Sequence, residues 1–294
     1  NLWRPFAFQL YEGDYEPNEE AKNIFFNHIK ILCGNEQPIY EYFLKWIVHM
    51  MKYPHKKSIT PVLISAEGSG KGTFIKFLTT IFGSKKVFET SDPSRDVWGS
   101  FNGLMQDCYF VNLNELSKKD TIDSQNKIKA LQTDPTLTVN PKGLGQFLMR
   151  SYHHFLISTN TDNPIKSEKG DRRNWIIKAS DEKKGNKEYF IMLNKYFEDI
   201  NIIRTIVDAL LEIEVDADFG SQVFPLTEYQ KTLQDVERDP VDLWLQDTIA
   251  SNSHFQSGLE YMDFTPTQCL NSYKHWCEIN GYNIQGMNVQ KFGL

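Results

Sequence analysis

The sequence predicts an α/β protein built on a central, mainly parallel sheet, and three observations predict it. Residues 60–83 run from a short apolar stretch, TPVLIS, through a glycine-rich turn, AEGSGKG, into a helix-like stretch, TFIKFLTTIFG. Two further apolar runs, DCYFVNLNEL at 107–116 and YHHFLISTN at 152–160, also close on polar residues. Between these runs lie segments whose apolar residues recur at helical spacing. Strands buried on both faces read as unbroken apolar runs. Polar residues at their carboxyl ends place the chemistry at that edge of the sheet.

In chain order, residues 1–20 are aromatic and acidic without a clean period, an extended lead-in. AKNIFFNHIKIL (21–32) sets Ile24, Phe25, His28, Ile29 and Leu32 at helical spacing, and Gly34 is a helix stop. PIYEYFLKWIVHMMKYP (38–54) is a second helix whose apolar positions nearly encircle it, which predicts burial against the next domain. The strand, turn and helix of 60–83 come next, then the strand at 107–116 and a helix in NKIKALQTD. PTLTVNPKGLGQFLMR places β-prone residues on both sides of Pro141-Lys142-Gly143, a hairpin with Lys142 at its tip. After YHHFLISTN, with His153 and His154 as sheet residues, a basic turn EKGDRRN leads into the strand WIIKAS. Residues 187–215 read as helical and DADFGSQVFP as a loop. Helices are predicted on both sides of Pro240, and TPTQCLNSYKHWCEINGYN is one helix of a small module. The domains expected are a lead-in with helical collar (1–58), a core (59–222) and a mostly helical, winged-helix-like C-terminal module (223–294).

The 294 residues, 40% hydrophobic, suffice for one large domain and a small one. The chain opens on Asn1 and stops at NVQKFGL, which reads as a segment of a longer polypeptide. No run approaches a membrane span and no leader opens it, so a soluble, intracellular protein is expected. A net charge of −6 gives no global attraction to nucleic acid, so such binding needs a local patch. Cys33, Cys108, Cys269 and Cys277 match no zinc spacing and read as reduced thiols.

The turn nearly matches G-x-x-x-x-G-K-[ST], whose backbone N–H groups and lysine hold phosphates and whose hydroxyl holds magnesium. Ser65 stands for the first glycine, and the hydroxyl arrives one place late, as Thr73 after Gly72. Lys71 would neutralise phosphate, while Gly68 and Gly70 let amides approach it; the plain alternative is a solvated lysine on a glycine turn. Glu115 suits a carboxylate that organises magnesium and polarises water, or is an ordinary strand-end acid. Asn160 can orient an attacking water, or merely close its strand. Arg172 and Arg173 can stabilise charge on a transferring phosphate from across an interface, or lie on a surface turn. Lys142 can touch a nucleic-acid backbone, or only solvent.

In this order LISAEGSGKGTF, CYFVNLNEL, TVNPKGLGQF, HHFLISTN and GDRRNWIIKAS resemble the superfamily 3 helicases, a ring-forming branch of the AAA+ P-loop ATPases. The nearer likeness is to poxvirus-type and phage primase-helicases, in which the ATPase region follows a primase or primase-polymerase region. It covers roughly residues 60–180, and YEYFLKWIVHMMKYPHKK resembles the helical collar before such loops. The G-x-G-K-G-T form resembles a variant within the group; Ser65 and Asn114 depart from the usual glycine and acid.

The resemblance implies a DNA helicase motor working as a homo-hexamer, with ATP and Mg2+ between subunits and one DNA strand in a central pore. It implies Glu67, Gly68, Ser69, Gly70, Lys71, Gly72, Thr73 and Asn114 around the nucleotide, with Thr73 and Glu115 on Mg2+. It further implies Glu115 as the Walker B acid, Asn160 as sensor, Arg172 or Arg173 as the finger given to a neighbour, and Lys142 on a pore hairpin gripping DNA. Two other functions fit the loop: a nucleotide or small-molecule kinase, and a nucleotide-bound scaffold that docks replication partners.

Overall fold

The computed structural model describes residues 4–116, 127–162, 165, 167, 170, 172–236, 240–251, 265–282 and 288–292. Its centre is a five-stranded sheet in the order β2-β3-β6-β1-β7, every neighbouring pair parallel. The strands are β1 (Thr60–Ile64), β2 (Val87–Thr90), β3 (Phe110–Asn114), β6 (His154–Thr159) and β7 (Asn174–Lys178). A separate antiparallel pair, β4 (Thr136–Val139) with β5 (Phe147–Arg150), forms the hairpin around Pro141-Lys142-Gly143.

Two helices precede the sheet. In α1 (Glu19–Leu32) the Asn18 side chain accepts from the Ala21 N–H at 2.9 Å, satisfying one of the donors a helix start leaves open. Gly34 and Asn35, both at positive φ, end it. A proline in its first turn opens α2 (Gln37–Lys52), and Trp46 donates to the Ile59 carbonyl at 3.2 Å, tying α2 to the chain entering β1. Helix α3 (Lys71–Phe82) follows the glycine turn, α4 (Pro93–Asp96) follows β2, and α5 spans 127–133. After β7 come α6 (Lys187–Tyr196), α7 (Ile200–Leu211) and α8 (Glu228–Val236). The stretch 187–215, expected helical throughout, thus holds two helices. Asp199 accepts from the Asn201 N–H at 2.9 Å and restarts the helix, and the helix stops at Leu211.

One face of the sheet presents Leu63, Phe110, Leu156, Trp175 and Ile177 to Phe25, Phe43, Trp46, Phe74 and Phe77 from α1–α3. Helix α7 closes this layer against α1 and α2. The other face presents Val62, Ile64, Val111, Leu113, Ile157 and Ile176 to Val97 and Met105. Each large apolar side chain buried this way contributes about 1.5–3 kcal/mol. The lead-in helices therefore share the core of the sheet.

The chain divides into two compact units, Asn1–Leu233 and Gln234–Leu294. The expected boundary at 222 falls earlier than this division. Thr227 donates to the Ile176 carbonyl at 2.7 Å, and Gln230 accepts from the Ile176 N–H at 3.1 Å. These side chains cover the open edge of β7, which would otherwise present unpaired backbone groups. In the second unit α9 (Pro240–Ser251), α10 (Pro266–Asn280) and α11 (Val289–Phe292) are described, with Trp244, Leu270, Tyr273, Trp276 and Cys277 as the core. All four cysteines are free thiols. Among the described residues no helix is long and apolar enough to cross a membrane.

Candidate functional site

The carboxyl ends of β1, β3 and β6 open into a cavity of 430 Å³. Its floor is the turn Ala66–Thr73, and the helix that begins there, α3, points its N-terminus at the cavity. Backbone N–H groups left unpaired at a helix start, with the helix dipole behind them, make such a place suited to an anion. Gly68 and Gly70 have φ of +72° and +96°, which only glycine adopts without strain. At Gly70 a side chain is also sterically barred, since a Cβ would lie 2.3 Å from His28 Cε1 and 2.6 Å from Phe190 Cε1. Inside the turn Ser69 Oγ donates to the Ala66 carbonyl at 2.6 Å, and the Gly185 N–H donates to the Gly68 carbonyl at 3.2 Å.

The Lys71 ammonium donates to the Ser65 carbonyl at 2.6 Å and to Ser65 Oγ at 2.8 Å. Burial lowers its pKa, while Glu115 and then Glu67 oppose the shift. Glu115 itself has φ +58°, an uncommon conformation for a residue with a side chain, just past the end of β3. Its N–H donates to the Ser158 carbonyl at 2.7 Å, which fixes that bend.

Of the residues singled out from the sequence, Glu67, Gly68, Ser69, Gly70, Lys71, Gly72, Thr73, Asn114, Glu115 and Asn160 all line this one cavity. Glu89, Asn112, Ser158 and Phe190, which sequence reasoning missed, line it too. Asn112 donates to Glu89 Oε2 at 2.6 Å, and Ser158 Oγ lies 3.0 Å from both Asn112 Oδ1 and Asn114 Oδ1. A polar network thus crosses from β2 through β3 to β6 beneath the cavity. The one sequence signal for it was Asn112, a polar residue inside an otherwise apolar run. The cavity's side-chain groups are hydroxyl, amide and carboxylate oxygens with one ammonium, a set that suits a phosphate together with a hard divalent cation, for which Thr73 and Glu115 are the candidate ligands.

Arg172 and Arg173 do not join this cavity. They line a second one, of 570 Å³, with Lys57, Ser58, Gln132, Thr133 and Gly220. Arg173 stands just before β7, where its carbonyl accepts from the Thr60 N–H at 2.8 Å, and Lys57 stands just before β1. The second cavity therefore lies at the amino edge of the sheet, with the five residues of β1, about 16 Å, between the two. Lys57 donates to the Leu131 carbonyl at 2.8 Å and the Asp134 carbonyl at 2.7 Å, and burial brings its pKa down to about 8. Lys142 lines neither cavity. It is exposed at the tip of the β4–β5 hairpin, which Asn102 anchors by donating to the Thr138 carbonyl at 3.0 Å and accepting from the Asn140 N–H at 2.8 Å.

A family of unknown function (DUF5906) matches residues 63–173, a stretch that contains the glycine turn, β3, β6 and the arginine pair. The DNA primase-polymerase of Nitratiruptor phage NrS-1 is 25% identical over 219 residues, 74% of this chain and 29% of the phage protein. The chain thus spans less than a third of that relative's length. An apo structure of the NrS-1 C-terminal region matches with a TM-score of 0.66 at 18% identity, covering 87% of this chain and 64% of that one. A second apo form matches with a TM-score of 0.66 at 20% identity, covering 85% and 62%. The expected α/β fold with a parallel central sheet of the P-loop NTPase kind is the fold observed, and the similarity to a phage primase-polymerase agrees with the resemblance read from the sequence.

Proposed function

We propose that this chain, similar over most of its length to part of a phage DNA primase-polymerase, is an ATP-hydrolysing DNA helicase motor of a replication protein, active as a ring of identical subunits. One observation carries the proposal: the loop lysine and the strand-end glutamate share a cavity at the carboxyl edge, while the arginine pair lies at the amino edge of the same sheet. A chain cannot bring its own arginines to its own loop across that distance. A neighbour in a head-to-tail assembly can, and such contacts form a ring when the rotation between subunits closes.

In this mechanism the turn Glu67–Thr73 cradles the phosphates with its N–H groups, and Lys71 leaves Ser65 to neutralise the β and γ phosphates of ATP. Thr73 and Glu115, which line the cavity, would hold Mg2+ directly or through water, and the ion when bound would supply positive charge against the phosphates. Asn114 stands where the usual acid would, and Glu89 supplies a further carboxylate at the same cavity. Glu115 polarises the attacking water as general base, and Asn160 orients it. Arg172 or Arg173 of the adjoining subunit stabilises charge on the transferring phosphate, an effect worth about 10³–10⁵ in rate in other systems. Lys57, beside the arginines, adds a third cation to that surface. Hairpins carrying Lys142 follow the phosphate state and draw one DNA strand through the ring, by phosphate contacts that carry no sequence information.

The test is steady-state ATP hydrolysis at micromolar protein, with and without single-stranded DNA, beside Lys71→Ala. Hydrolysis that needs Lys71 and rises with DNA is the expected result. Hydrolysis indifferent to DNA would favour a kinase-like enzyme, and binding without turnover a scaffold.

A further inference from the structure

Helix α1 carries an imidazole with no part in the hydrolysis chemistry. His28 has 0% of its surface exposed, and its Nε2 lies 3.3 Å from the Gly70 carbonyl oxygen. A carbonyl can only accept, so Nε2 bears the proton and Nδ1 the bare lone pair. That Nδ1 is buried without a hydrogen-bond partner. Burial keeps the ring neutral, bringing its pKa down to about 4 against the upward pull of the Gly70 contact. The surroundings are aromatic, with Tyr189 and Phe190 both 5.8 Å away between ring centroids. A phenylalanine would suit such a place better than a ring with an unsatisfied acceptor, unless the Nε2 donor has a task.

The task lies in the peptide between Gly70 and Lys71. It is planar and trans, so its C=O and N–H point in opposite directions. The carbonyl is turned toward His28, so the Lys71 N–H faces the opposite way, and Lys71 itself lines the cavity. Gly70, at φ +96°, has the freedom to rotate this peptide. A flipped peptide would present a carbonyl oxygen, instead of an N–H, to an anion. The Phe74 N–H also donates to the Gly70 carbonyl, at 3.2 Å, and the second donor is His28.

We propose that His28 is a positioning residue of the phosphate loop, fixing the Gly70–Lys71 peptide so that the Lys71 N–H is held ready for a phosphate oxygen. The proposal rests on the nucleotide reading of the cavity, and it makes the lead-in helix a working part of the loop.

Two variants separate positioning from packing. His28→Phe keeps an aromatic ring and removes the donor; His28→Gln keeps an N–H donor near the Nε2 position and loses the ring. Thermal unfolding and binding of a fluorescent N-methylanthraniloyl ATP with Mg2+ are measured for both, beside wild type and Lys71→Ala. His28→Phe should melt at or above the wild-type temperature yet bind roughly five-fold or more weakly, as expected for a lost hydrogen bond. His28→Gln should melt lower yet bind within about two-fold of wild type. Wild-type binding by His28→Phe, or binding losses that follow melting temperature across both variants, would overturn the proposal. If wild type and Lys71→Ala bind the probe alike, the nucleotide reading fails and the positioning role falls with it.

Discussion

Ser65 holds the Lys71 ammonium twice, through its backbone carbonyl at 2.6 Å and its hydroxyl at 2.8 Å. Ser65 is the residue that stands where the usual phosphate loop begins with glycine. The departure from the usual pattern therefore has a physical effect, a second acceptor for the lysine ammonium.

Ser65→Ala removes that acceptor and leaves the carbonyl. Fluorescent ATP should bind about two- to five-fold more tightly, corresponding to a competing hydrogen bond of roughly 0.5–1 kcal/mol. Weaker binding would mean that the hydroxyl touches the ligand itself.

The separation of Lys71 from Arg172 and Arg173 predicts complementation between inactive chains. Lys71→Ala should lose hydrolysis by failing at the phosphates. Arg172→Ala with Arg173→Ala should still bind ATP within about two-fold of wild type and lose turnover by about 10³ or more. Mixed in equal amounts, the two should recover activity at about a quarter of the interfaces, as random assembly at a head-to-tail contact requires. A mixture as inactive as its parts would exclude the shared site.

Lys142 is exposed on a hairpin anchored by Asn102 and lines neither cavity. Lys142→Ala should leave hydrolysis without DNA within about two-fold and abolish both DNA stimulation and unwinding, as the proposed contact to DNA phosphate requires. Unchanged unwinding would remove the hairpin from the DNA path.

Stability should fall on mild acidification. Burial lowers the pKa of His28 and His153 from 6.5 to about 4, and that of His154 well below 6.5. The unfolded chain therefore binds protons that the folded one refuses between these values. The stabilisation is complete above about pH 6.5 and is lost as pH falls toward about 4, at most roughly 3 kcal/mol for each of His28 and His153. Urea midpoints should match at pH 8 and 7 and drop progressively at pH 6 and 5. A level profile from pH 7 to 5 would show these rings already charged in the fold.

Much of the sheet was legible because β1, β3, β6 and β7 are buried on both faces, so their residues are apolar almost without interruption. β2 was not legible. Its four residues, VFET, are only half buried, with Glu89 exposed at the cavity, and so short a run carries no period. The same blindness hid Glu89 from the site, since its membership depends on the pairing of Glu89 with Asn112 across two strands. His28 was legible as a helix residue on an apolar face. Its contact with Gly70 joins positions 42 residues apart, which no local pattern encodes.

What the sequence determined by itself was the local chemistry: where strands end, where glycine must sit, and which polar side chains close the apolar runs. These depend on φ, side-chain period and burial, properties of a few adjacent residues. Tertiary structure decided which of those residues meet. Parallel strand pairing set Lys71, Glu115 and Asn160 around one cavity at the carboxyl edge, while the same pairing carried Arg172 and Arg173 to the opposite edge. The physical reason is that a parallel strand has one direction, so a residue before it and a residue after it are held apart by its length.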